Sequence, residues 1–145
     1  MQRQFDEKYF RKIDYVFYRE AEIRELVMEE KLRIIRHEVG NGSNLSDPTA
    51  AEVLKNSTPV SVILIEKTLL RYPEHWLEVV DLTKQWCEEC GDDFYQILKS
   101  RYAFNEEIKK TCAKLSISAD FYYKILDKIR THAALVAAYL HLISF

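Results

Sequence analysis

Apolar residues recur through the first 39 positions at Tyr9, Ile13, Val16, Ile23, Val27 and Ile34. The spacing alternates four and three if Glu20 and Glu30 fill the missing steps, which is a heptad seam with two polar interruptions. It predicts one long helix over 5–39, about 35 residues and roughly 50 Å of rod. Phe10, Phe17 and Leu26 widen the stripe, so packing along its own chain and pairing as a dimeric coiled coil both stay open. The stretch GNGSN, residues 40–44, ends the helix, because glycine and asparagine accept the positive φ of a helix terminus. A linker over 40–58 follows. Ser46 or Asp47 can cap a short helix there, with Pro48 at its first position and an end at Asn56.

After Pro59 the run VSVILIEKTLLRY is β-branched enough for a strand, yet Val62, Ile65, Leu69 and Tyr72 also share one helical face. With no second strand candidate to pair it, helix is the expectation. Pro73 opens another helix with Trp76, Leu77, Val80 and Trp86 as its apolar members, and Gly91 stops it. Asp92 then caps DFYQILKSRYAF, and Asn105 caps NEEIKKTCAKLS with Glu106 and Glu107 in the first turn. Ser118 caps a last helix running to about Leu142, with Tyr122, Ile125, Ile129, Val136 and Leu140 inward and His132 as the place for a bend. The sum is an all-α protein: a long helix over 1–39, a linker over 40–58, and a helical body over 59–145.

Composition fits that class. The chain has 145 residues, 48% hydrophobic and 30% charged, enough for a core and too short for a large multidomain enzyme. Three glycines and three prolines leave long unpunctuated segments, and no glycine lies in a phosphate-cradling series. The amino end lacks the apolar stretch of a signal peptide, and no run approaches the roughly 18 apolar residues of a membrane span. A soluble protein of the cytoplasm with reduced thiols is expected, and neither a membrane partner nor a cofactor.

Charge matters by segment. Residues 1–39 carry nine Lys or Arg against nine Asp or Glu, residues 40–98 carry four against ten, and residues 99–130 carry eight against four. The basic segment is the place to look for a polyanion. It contains EIKKTCAKLSISADFYYKI, residues 107–125, which has the pattern of a helix-turn-helix. Cys112 is the small residue where the helices touch, Ser116 takes the sharp turn, and Leu115, Ile117, Tyr122 and Ile125 form the shared apolar core. Outward from the second helix would face Ser118, Ala119, Asp120, Tyr123, Lys124, Asp127 and Lys128, the candidate readers of base and phosphate. Lys109, Lys110 and Lys114 on the first helix would grip the flanking backbone. An ordinary packed helix pair matches such a pattern too; the local excess of lysine favours double-stranded DNA as the partner.

The chain also resembles the RinA and ArpU type of phage late-gene transcription regulators, whose carboxy-terminal helix-turn-helix is similar to region four of bacterial sigma factors. Four pieces in order carry the resemblance: the charged amino-terminal helix, SDPTA at 46–50, ILKSRY followed by SxxxYYK at 118–124, and VAAYLHLI at 136–143. In that family alanine and glycine are commoner at the positions of Cys112 and Ser116, and glycine stands where His141 does. The resemblance implies activation of phage structural or packaging genes in a bacterial host, promoter binding through the segment Ser118, Tyr122, Tyr123 and Lys124, and contact with RNA polymerase as a further partner. A homodimer, joined through the heptad helix or the apolar end LHLISF, would offset the weak affinity of one domain.

Other constellations carry less. Cys87 and Cys90 form a single CxxC at the end of a predicted helix, the wrong end for thiolate stabilisation and two ligands short of a zinc site. His37, His75, His132 and His141 are scattered, and no catalytic or metal centre is nominated. The acidic residues around Gly91 read as solvated caps. The rival function is a helical protein-interaction module that never touches nucleic acid.

Overall fold

A computed structural model describes the backbone of residues 2–39 and 59–144 and the side chains of 7–36 and 59–144. The linker expectations, including SDPTA and the short helix ending at Asn56, lie outside the described residues, as does the side chain of His37. The expected amino-terminal helix is present as two consecutive helices, α1 (Gln2–Tyr18) and α2 (Glu20–Val39), separated by Arg19. Two strands follow, β1 (Val62–Ile65) and β2 (Thr68–Arg71), then α3 (Pro73–Cys90), α4 (Asp92–Leu98), a π-helical turn over Lys99–Ala103, α5 (Ile108–Leu115) and α6 (Ala119–Tyr139). The described chain is predominantly helical, and it forms two compact units: residues 1–20 with 75–145, and residues 21–74.

In the larger unit, α6 packs against α1, α4 and α5. Ile13, Val16 and Phe17 of α1 are buried, as are Tyr122, Ile125, Leu126, Ile129, Ala133, Ala134 and Ala137 of α6. The inward face of α6 therefore differs from the expected one at its far end: Val136 and Leu140 are only half-buried, while the alanines take the fully buried positions. The helix runs uninterrupted through His132. Its ring stacks on Trp86 with centroids 4.2 Å apart and planes within 5°.

One polar cluster crosses this core. Arg130 Nε donates to Asp14 Oδ1 at 3.1 Å and Nη2 to Asp14 Oδ2 at 2.7 Å, a bidentate pair between α6 and α1. The Tyr102 hydroxyl donates to Asp14 Oδ1 at 2.5 Å, and burial together with the Asp14 charge pushes that phenol well above its usual range. The π-helical turn, closed by Phe104 N–H donating to the Lys99 carbonyl, carries Tyr102. Glu20, one of the polar interruptions in the heptad seam, accepts from Lys84 Nζ at 2.7 Å.

The smaller unit corrects the sequence reading. Residues 62–71 form an antiparallel hairpin, with Ile63 opposite Leu70 and Ile65 opposite Thr68, where a helix was expected. The second strand was hidden in the same apolar run. Two-residue alternation puts Ile63, Ile65 and Leu70 on the buried face. The two-residue loop Glu66–Lys67 has positive φ at its first position, with Glu66 at φ 55 where hairpin loops usually place glycine or asparagine. Without that glycine the turn left no mark. In α2, Ile23 and Val27 are buried, as the seam predicts. Glu74 at the start of α3 accepts the Val60 N–H at 2.7 Å and pairs with Lys31 at 2.5 Å.

Two outcomes are expected. Asp14→Asn leaves Arg130 and Tyr102 short of an anionic acceptor, and because the pair keeps some solvent it should cost about 2 kcal/mol in urea unfolding. Burial lowers the His132 pKa. A depressed folded-state value means that the associated stability is fully present above the unfolded pKa of about 6.5 and is lost as pH falls through the folded value. His132→Phe keeps a ring on Trp86 and removes the titration, so stability should fall less between pH 7.5 and 5 in that variant than in the parent chain.

Candidate nucleic-acid interface

The helix-turn-helix pattern corresponds to α5, a three-residue connection, and α6. Ser116 has φ 55 and ψ 46, the left-handed conformation expected of it. Ile117 N–H donates to the Cys112 carbonyl at 3.0 Å and Ser116 N–H to Ala113 at 3.4 Å, so α5 ends in a Schellman motif with serine at the glycine position. Ser118 begins α6 as its N-cap, its hydroxyl accepting the Phe121 N–H at 3.1 Å. Cys112 Sγ lies 3.8 Å from the Ser118 carbonyl, which puts a small side chain where the helices meet. Tyr122 and Ile125 are fully buried in the shared core, Leu115 and Ile117 only half.

Two caps differ from expectation. Asn105 does not cap α5: it takes φ 47 ahead of the helix, and the cap position falls on Glu107 with no side-chain bond. Glu106 instead accepts from the Thr111 hydroxyl at 2.9 Å and from Lys114 Nζ at 2.8 Å, and those bonds hold its carboxyl below the usual range. Asp92 is likewise the first residue of α4, after Gly91, rather than its cap.

All ten nominated residues are exposed: Lys109, Lys110 and Lys114 on α5, Ser118 at the cap, and Ala119, Asp120, Tyr123, Lys124, Asp127 and Lys128 on α6. The α6 positions recur at alternating intervals of one and three and so share one side of the helix over its first three turns. They are not electrostatically equal. Lys114 is tied to Glu106, and Asp127 lies 3.7 Å from Arg130 Nη1. Of the eight basic residues in 99–130, Arg130 is spent on Asp14 and is 15% exposed; Arg101 is half-buried against the Tyr18 and Tyr102 rings. Lys99 sits 4.3 Å from the centre of the Tyr95 ring. That leaves Lys109, Lys110, Lys124 and Lys128 as the outward cations of the motif. Lys124 and Lys128 stand one helical turn apart.

Phe121, 44% exposed, and Thr131 border the same surface and were not nominated. Their signal was spacing: Phe121 stands three residues before Lys124 and Thr131 three after Lys128, the separations at which helix side chains are neighbours. The thiols offer nothing comparable. Cys87 is fully buried, and burial pushes its thiol up to about 12. No group of three or more metal-ligating side chains occurs among the described residues. No helix among them is long and apolar enough to cross a membrane.

No protein-family profile, no curated protein and no solved structure matches this chain.

Ser116→Gly should stabilise the fold by about 1 kcal/mol, because glycine takes the left-handed conformation without the Cβ conflict. Ser118→Ala should destabilise it by about 1 kcal/mol through loss of the cap. Paired chemical denaturation curves check both signs.

Proposed function

We propose that the chain binds double-stranded DNA through α5 and α6 and acts as a transcription regulator of phage or prophage late genes, in the manner of the RinA and ArpU type it resembles. The observation that carries the reading is the exposure of every nominated residue of α5 and α6 on a motif whose turn has left-handed Ser116 and a working N-cap at Ser118. In this reading the first turns of α6 enter the major groove, with Ser118, Ala119, Asp120 and Tyr123 nearest the base edges. Lys109, Lys110, Lys124 and Lys128 supply phosphate contacts. Asp120 stands where it can accept a cytosine amino hydrogen, and Asp127 restrains Arg130. The reading assigns no catalytic role, and it puts the protein in the bacterial cytoplasm with RNA polymerase as a second partner.

Two copies would recover affinity that four lysines do not give alone. Of the two surfaces considered for a homodimer, the apolar end is engaged within its own chain: the Tyr9 hydroxyl donates to the Ser144 carbonyl, and Leu142 and Ile143 are half-buried. The amino-terminal helix is thus the better candidate, through α2.

The interaction-module reading has one observation in its favour. Val62, Leu64 and Leu69 occupy the outer face of the hairpin and are exposed, Leu64 at 57% and Leu69 at 61%. A sheet with one solvated face usually fills it with polar residues.

Retardation of genomic duplex fragments separates the two. A DNA binder using four phosphate contacts should lose affinity with a log–log salt slope of about −3.6, and Lys124→Glu should abolish retardation with the helical circular dichroism unchanged. No retardation at low salt, or retardation unaffected by Lys124→Glu, would remove α6 as the reader.

A further inference from the structure

At the opposite end of α6 from the lysine face, a cleft of about 560 Å³ opens between α1 and the chain beyond α6. Its basic groups are Lys8 and Lys12, with His141 beside them in the lining, and its walls include Tyr9, Leu142 and Ile143. Among the described residues, no carboxylate lines it. Lys8 and Lys12 are one turn apart on α1 and so lie on one side of that helix.

His141 is held there by backbone geometry. It has φ 61, its N–H donates to the Ala138 carbonyl at 3.0 Å, and Leu142 N–H donates to Ala137 at 2.8 Å. This is a second Schellman motif, again with a non-glycine residue in the left-handed position. A histidine accepts that strain where glycine would avoid it, and the result places it in the lining of the same cleft as two lysines.

Lys12 is the telling residue. Its ammonium lies 5.5 Å from the centre of the Tyr15 ring and 5.7 Å from that of Trp76, with no carboxylate partner among the described residues. Half-buried charges are ordinarily matched by an ion, because aromatic faces offset desolvation only in part. Its pKa is lowered by that burial, which an anion in the cleft would oppose.

From the cleft, its two lysines and histidine and the absence of a lining acid among the described residues, we infer that this is a binding site for a phosphoryl anion. Lys8 and Lys12 supply charge and hydrogen bonds, and His141 supplies a third donor. The space exceeds that of an inorganic phosphate, and the Tyr9 ring with Leu142 and Ile143 offers an apolar wall to an attached organic group. The phosphoryl group can come from a free phosphate ester or from the backbone of DNA.

Calorimetric titration of the full chain with inorganic pyrophosphate tests the site without any duplex, so its outcome stands apart from that of the DNA reading. Saturable binding to one site is expected, with Kd on the order of 1 mM or tighter. Lys12→Met, which keeps the stem against Trp76, should weaken it by about tenfold. His141→Asn, which keeps a residue tolerant of the left-handed conformation, should weaken it in the same direction, and Lys67→Glu, in the exposed hairpin loop, should leave it unchanged. Pyrophosphate that displaces bound duplex, with duplex affinity reduced in Lys12→Met, identifies the DNA backbone as the source. Saturation without effect on duplex identifies a free phosphate ester. Absence of saturable binding, or parental affinity in both folded variants, overturns the inference.

Discussion

The bidentate bond between Asp14 and Arg130 is the constraint on which the larger unit turns. Hydrophobic contact between α1 and α6 is non-directional and would tolerate sliding or rotation of one helix on the other. A planar guanidinium facing a carboxylate does not, since both bonds require one register. The Tyr102 hydroxyl adds a third element to the same carboxylate, so α1, the π-helical turn and α6 meet at one point. Fixing the middle of α6 in this way leaves its first three turns to present a polar side, and that side carries all the α6 residues of the candidate interface.

The same bond shows why a count of charges overstates a surface. The segment 99–130 is basic in sequence, but Arg130 is answered by Asp14, which lies 116 positions away and outside the segment. Lys114 is answered by Glu106 inside it. Neither pairing changes the arithmetic of the segment, and both change what a polyanion would meet. Four lysines are a weaker attraction than eight basic residues, which makes the geometry of α6 and the doubling of the domain more important to the proposed function than net charge.

Much of the architecture was legible because it follows from periodicity. Buried Ile13, Val16, Ile23 and Val27 fall on the predicted seam, and Tyr122 and Ile125 fall on the predicted core of the motif. The exposed face of α6 follows from the same wheel. What escaped was whatever depends on partners distant in sequence: the role of Asp14, the buried alanines at the end of α6, and the ring stack of Trp86 on His132. The hairpin escaped for a local reason. A run of β-branched residues reads as a strand only when a turn is visible to fold it back, and Glu66 does not announce one.

That omission is general in this chain. Its three glycines suggested long helices with few turns, yet Glu66, Tyr72, Asn105, Ser116 and His141 all adopt positive φ. They stand at the hairpin loop, before α3, before α5, in the helix-turn-helix and after α6. Each carries a steric cost of roughly 1–2 kcal/mol that a glycine would relieve. At Ser116 and His141 the cost is accepted within Schellman motifs whose hydrogen bonds are fully made, so the turns are held by their neighbours and not by their own preference. A side chain retained at such a position is then free to contribute something that glycine lacks. At His141 the candidate contribution is a side chain in the lining of the cleft that Lys8 and Lys12 share; at Ser116, which is exposed, the structure supplies no compensating side-chain contact.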